Sequence, residues 1–137
     1  MIICDTGPLV AALNAKDADH HRCLQLLESH PGPLLVPAPV ITEVCWLLES
    51  RAGSAAEATF LASLVEDDLT VVDLEPPDFQ RMADLVRRYT DLPLGAVDAS
   101  VVAVAERVQC TVVATLDRRH FHVVRPRHVD GFILLPG

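Results

Sequence analysis

Residues 1–14, MIICDTGPLVAALN, change periodicity in the middle. Met1 to Cys4 is a short apolar run that ends at Asp5, the pattern of a buried strand. Thr6 or Gly7 then caps a helix with Pro8 in its first turn, where a missing N–H leaves no bond unmade, and the helix continues through LVAALN. A strand that passes through an acid directly into a helix opens a βα unit. The tripeptide Asp5-Thr6-Gly7 also surrounds the catalytic carboxylate of aspartic peptidases, but there it belongs to an all-β framework. Its setting here excludes that reading.

The same alternation runs on down the chain. Asp17 to Ser29 carries Cys23, Leu26 and Leu27 on a polar background and reads as a second helix, and GPLLVP (32–37) follows as a strand. Pro39 opens a helix to about Ala52 with a stripe of Val40, Val44, Leu47 and Leu48, stopped by Gly53. Ser54 to Val65 is a further helix, LTVVDL (69–74) a third strand, and Asp78 to Tyr89 a helix after Pro76-Pro77. DLPLG (91–95) is a loop. Ala96 to Val108 is helical by its Val97, Val101, Val104 and Val108 stripe, despite β-branched residues that also suit strands. CTVVATL (110–116) and FILL (132–135) supply the last two strands. Apolar strands alternating with amphipathic helices predict right-handed crossovers and a parallel five-stranded sheet covered on both faces. The expected fold is a three-layer α/β/α sandwich.

Composition agrees with one domain over residues 1–137: half of the chain is apolar, 4% is aromatic, and no low-complexity block interrupts it. Neither a membrane span nor a signal peptide is expected, and the four scattered cysteines, Cys4, Cys23, Cys45 and Cys110, show no metal or redox spacing. A cytosolic protein with reduced thiols is the expectation. The net charge of −8 opposes binding to polyphosphates, yet four of the eleven basic residues, Arg118, Arg119, Arg125 and Arg127, cluster with His120, His122 and His128 in an acid-free run.

In an open parallel sheet, ligands bind outside the carboxyl ends of the strands, where the N-termini of the packed helices also point. Four acids map to that edge. Asp5 ends the first strand, Glu43 lies early in the helix after the second, Asp98 opens the helix before the fourth, and Asp117 follows the fourth. Each has an ordinary alternative: a turn residue at Asp5, dipole-favoured acids at Glu43 and Asp98, and the cap of a short turn over RRHF at Asp117. Successive helical side chains turn by roughly 100°, so Asp98 shares a row with Val101, Val102 and Ala105, and Glu43 with Val40 and Leu47. Neither acid faces freely into water. Partly buried carboxylates with few basic neighbours in sequence call for a cation, and an all-carboxylate oxygen set selects Mg²⁺ or Mn²⁺ over zinc.

Such ions serve phosphodiester hydrolysis. Beside a metal-dependent phosphohydrolase stands an acidic phosphoreceiver or structural α/β module; a receiver needs a late lysine, and Lys16 is the only one. The haloacid-dehalogenase type of phosphatase needs Asp-x-Asp after the first strand, where position 7 is Gly.

Four segments, IICDTGPLVAALN, VPAPVITEVCWLL, LPLGAVDASVVAVAE and VVATLDRRHF, each centred on one of these acids and in this order, resemble the PIN domain and, within it, the VapC-type ribonuclease toxins of toxin-antitoxin pairs. The resemblance implies Mg²⁺-dependent RNA cleavage, with Mn²⁺ as substitute, a homodimer, and a small antitoxin protein that blocks the site. By motif, Asp5, Glu43, Asp98 and Asp117 would hold the metal, with Thr6 and Thr115 as hydroxyls touching water, metal or phosphate. Arg118 and Arg119 would meet the RNA, and Asp91 lies in the loop on the same edge. His20-His21 is read as structural, because adjacent helical residues point to different faces. The alternatives are a PIN-type RNA-processing nuclease without an antitoxin and a non-catalytic PIN-like module that binds RNA or protein. Trp46 turns away from the buried stripe of its helix, toward either an interface or a neighbouring helix.

Overall fold

The structure is a computed structural model that describes residues 1–66 and 68–137. In chain order its elements are β1 (Ile2–Cys4), α1 (Thr6–Leu13), α2 (His20–Ser29), β2 (Leu34–Pro37), α3 (Ala38–Ala52) and α4 (Ser54–Ser63). There follow β3 (Thr70–Val72), α5 (Pro76–Arg88), α6 (Ala96–Val108), β4 (Val112–Ala114), α7 (Arg118–Val123) and β5 (Ile133–Leu135). The strands form one sheet in the order β3-β2-β1-β4-β5, and every pairing is parallel. The chain steps outward from β1 to β3 and then returns across the sheet to β4, so the strand order reverses between β1 and β4. Right-handed crossovers place α1 to α4 on one face and α5 to α7 on the other. No described helix is long and apolar enough to cross a membrane.

The strands are short because only their central residues are sandwiched. β1 and β2 are buried throughout, as both faces of a covered parallel sheet require. α3 contributes Val40, Val44 and Leu48, all fully buried, at a spacing of four that keeps them on one face. In α6 every residue from Ala99 to Ala105 is buried. Packing on all sides explains why this β-branched sequence stays helical: tertiary burial outweighs the weak intrinsic preference. At Gly53, φ is +91°, a conformation that separates α3 from α4 and that a side chain would strain.

Several boundaries differ from the sequence reading for local reasons. α2 begins at His20, since the Asp17 carboxylate accepts from the Asp19 N–H (2.8 Å) and holds a turn ahead of the helix. α5 begins at Pro76, because both prolines fit its first turn and Glu75 and Asp78 form a reciprocal capping box. The run after Asp117 is a full helix, α7, rather than a turn. Trp46 is 68% exposed and so packs into none of the described helices.

At the amino-terminal edge of the sheet, opposite the four acids, arginines and carboxylates pair. Arg81 meets Glu106 through two bonds of 2.7 and 2.9 Å, and Arg107 meets buried Asp78 at 3.0 Å. Asp78 also accepts from the Glu75 N–H (2.8 Å), joining a helix cap to an ion pair. Asp78→Ala removes both and leaves Arg107 short of its best partner, so the urea midpoint is expected to fall by the equivalent of roughly 2–4 kcal/mol. An unchanged midpoint would show that this edge is held by apolar packing alone.

Candidate functional site

Asp5 stands where β1 ends and α1 begins, and its N–H still bonds to the Ala114 carbonyl (2.9 Å), prolonging the β1–β4 ladder by one residue. That register sets the Asp5 carboxylate beside Thr115, whose hydroxyl donates to it at 2.8 Å. The same hydroxyl oxygen accepts the Asp117 N–H (2.9 Å). One side chain therefore fixes both acids. The close approach of α1 to the end of β4 depends on Gly7, where a Cβ would come within 3.2 Å of the Leu116 side chain.

Asp98 enters from the first turn of α6, and Glu43 from the early part of α3, half-buried. Asp5 is 5% exposed, and its pKa is raised from the ordinary 3.8 to about 6. Burial is the main cause; the Thr6 N–H and the Thr115 hydroxyl act in the opposite sense, while the charges of Asp98 and Glu43 raise it further. Asp98 is also raised, chiefly by burial, against the hydrogen bond and charge of His120, with Asp117 and Glu43 adding to the rise. The effect of the neighbouring charges on Asp5 and Asp98 is the electrostatic mark of convergence. Among the described residues, no Lys or Arg forms an ion pair with Asp5, Glu43, Asp98 or Asp117.

Asp117 caps α7, with Oδ1 accepting the His120 N–H at 3.2 Å, so the capping role weighed from sequence is real. Its other oxygen lies 2.8 Å from His120 Nδ1, which is also 3.0 Å from Asp98 Oδ2. His120 is thus part of the site, and the sequence reading placed it only in the basic run. The signal was available: an acid at an N-cap and a residue three positions on share the first turn of a helix.

The Thr6 hydroxyl is buried and has no hydrogen-bond partner among the described residues. Crowded carboxylates without arginine or lysine, beside an orphaned hydroxyl, make a donor set that fits a hard divalent cation. Cys4, adjacent to Asp5, is pushed up to about 12 by burial, with Asp5 and Cys110 adding to it, and is inert as a thiolate.

The basic run divides. Arg118 and Arg119 are exposed at the start of α7, with Arg118 donating to the Pro136 carbonyl (3.2 Å). The Arg127 N–H instead donates to Glu106, and His128 Nε2 lies 2.6 Å from the Cys110 carbonyl, both at the opposite edge of the sheet. Asp91 is exposed in the turn after α5. His20 Nδ1 bonds to the Ala11 carbonyl (2.8 Å) and ties α2 to α1, a structural contact.

Residues 2–126 match the family model of the PIN domain. The chain belongs to the PIN domain family. Ribonuclease VapC26 of Mycobacterium tuberculosis is 30% identical over 135 residues, covering 98% of this chain and all of that protein. Among solved structures, VapC20 of M. tuberculosis, described as a sarcin-ricin loop cleaving toxin, superposes with a TM-score of 0.78 at 24% identity, over 82% of this chain and 87% of that one. VapBC2 of Rickettsia felis, bound to a DNA fragment from its promoter, gives 0.65 at 14% identity over 98% and 97%. These structures share the fold, and the PIN domain here carries its acids on the edge where the strand order reverses.

The raised Asp5 pKa has a signed consequence for stability. Between 3.8 and about 6 the folded protein keeps a proton that the unfolded chain releases. The contribution is therefore complete below pH 4 and is lost as pH rises through 6. In metal-free protein, Asp5→Asn should match the parent near pH 4 and exceed it above pH 7 by on the order of 3 kcal/mol. Paired urea titrations from pH 4 to 8 measure the difference. A gap that does not grow with pH would mean that the Asp5 carboxyl is not strained.

Proposed function

We propose that this PIN domain, taken as one nuclease unit over residues 1–137, is an endoribonuclease that hydrolyses RNA phosphodiester bonds and is the toxin of a toxin-antitoxin pair. The observation that carries the reading is the convergence of Asp5, Glu43, Asp98 and Asp117 on one sheet edge without an ion pair to Lys or Arg among the described residues, in a chain alike over 98% of its length to a named ribonuclease. Asp5, Glu43, Asp98 and Asp117 would hold Mg²⁺, or Mn²⁺ in its place. The cation, when bound, would activate a water and neutralise charge on the cleaved phosphate.

The protein's own part is orientation. Thr115 locks Asp5 and the Asp117 backbone in one geometry. Thr6 offers a buried hydroxyl to water or phosphate, and Arg118 and Arg119 stand exposed one and two residues from Asp117 to meet the RNA backbone. Exposed apolar side chains, Trp46 on α3 and Phe79 and Val86 on α5, support a homodimer and a small antitoxin as partners. The cytosol, where RNA is reached, is the expected compartment.

Asp5→Asn and Asp98→Asn each keep side-chain size but remove charge. Both are expected to lower cleavage of a structured RNA by at least about a hundredfold with Mg²⁺ or Mn²⁺, a barrier change near 3 kcal/mol, while far-UV circular dichroism stays that of the parent. Full activity in either variant would remove the proposed site. Changing Arg118 and Arg119 together to Ala should weaken RNA binding and lower the slope of log affinity against log salt by roughly one to two. An unchanged slope would show that these arginines do not face the RNA.

A further inference from the structure

Resting on the metal-dependent reading above, the structure adds a nitrogen donor to what the sequence presents as an all-oxygen set. Nδ1 of His120 and one carboxylate oxygen each from Asp98 and Asp117 lie within 4.8 Å of one another. Each of the three is held in place. Asp98 rides on α6, Asp117 is anchored through its N–H to Thr115, and His120 is fixed in the first turn of α7 by its own N–H bond to Asp117 Oδ1. The His120 side chain is 18% exposed, so its direction is set by packing as well as by bonding.

Nδ1 of an imidazole ring carries at most one N–H, yet two carboxylate oxygens face that atom at 2.8 and 3.0 Å. One proton serves two acceptors poorly. With the ring proton on Nε2, the Nδ1 lone pair and the two carboxylates instead converge as three ligands on one point, leaving further positions open for water or substrate. We propose that Asp98, Asp117 and His120 form a mixed nitrogen-oxygen metal position that takes a first-row transition ion such as Mn²⁺ in preference to Mg²⁺. Asp98 is shared with the carboxylate set of Asp5 and Glu43, so the centre has two unlike halves.

The preference follows from ligand chemistry. Mg²⁺ demands oxygen donors and keeps its water, whereas affinity for imidazole nitrogen rises along the first-row divalent ions from Mn²⁺ onward.

The test is pulsed electron paramagnetic resonance on the full chain loaded with Mn²⁺, beside titration calorimetry with Mn²⁺ and Mg²⁺, for the parent and for His120→Asn. The parent is expected to show ¹⁴N coupling from a directly bound imidazole. His120→Asn should lose that coupling and bind Mn²⁺ at least about tenfold more weakly, with Mg²⁺ affinity held within about twofold. The spectrum of the parent decides the matter even if the variant folds poorly. Mn²⁺ binding without nitrogen coupling would overturn the nitrogen position and leave the carboxylate site standing. Equal weakening of both ions in a folded His120→Asn would overturn the preference for Mn²⁺. Failure to bind either ion would overturn this proposal together with the metal-dependent reading beneath it.

Discussion

The parallel pairing of β1 with β4 is the constraint on which the site depends. It matches Cys4 to Ala114, and the next residue on each strand, Asp5 and Thr115, continues past the ladder as a carboxylate and the hydroxyl that holds it. A shift of one residue in this register would turn Thr115 to the other face of the sheet and leave a buried Asp5 without its donor. Because the strand order reverses at this pair, the helices following β1 and β4 diverge to opposite faces and open a crevice between them. α1, α6 and α7 bring their first turns to that crevice, and with them Thr6, Asp98 and His120.

The two edges of the sheet treat charge in opposite ways. At the amino-terminal edge, Glu106 is matched to Arg81 and Asp78 to Arg107, within bonding distance and largely shielded from water. Those acids stabilise the fold because their charge is compensated. At the carboxyl-terminal edge, the charges of Asp98 and Glu43 raise the proton affinity of Asp5 and those of Asp117 and Glu43 raise that of Asp98, and the basic group among them is a histidine that touches two of the four. Local consistency is given up there, as it is at sites that bind something the chain does not itself provide. An overall charge of −8 thus conceals two arrangements with different purposes.

α7 is the smallest helix and the one that links these features. Asp117 caps it, His120 turns from its first turn toward Asp98, and Arg118 and Arg119 project on its outer side. Phe121, buried one residue after His120, packs against the edge of Phe132 and anchors the helix to the segment before β5. A six-residue helix has little stability of its own, so this aromatic contact and the cap carry its position.

The alternation of strand and helix, the parallel sheet and the four acids were legible in the sequence because each is a local pattern: an apolar run ending at Asp5, a stripe at spacing four in α3, an acid opening α6. The family resemblance rests on the same local patterns. Tertiary structure decided what depends on atoms far apart in the chain. The Thr115 bond to Asp5 spans 110 residues. The run from Arg118 to His128 looked like one basic patch, but the chain turns after α7, leaving Arg118 and Arg119 by the acids and carrying Arg127 and His128 to the other edge. His120 looked like a member of that patch and instead faces two carboxylates, since its direction is set by the cap of α7 and the packing of Phe121. Trp46 could be placed opposite the buried stripe by helical geometry alone, whereas its exposure required knowing that no described element covers that face. Periodicity tells which side of an element is buried; only the packed chain fixes which distant groups meet there, because that depends on strand register and on the angle at which each helix leaves the sheet.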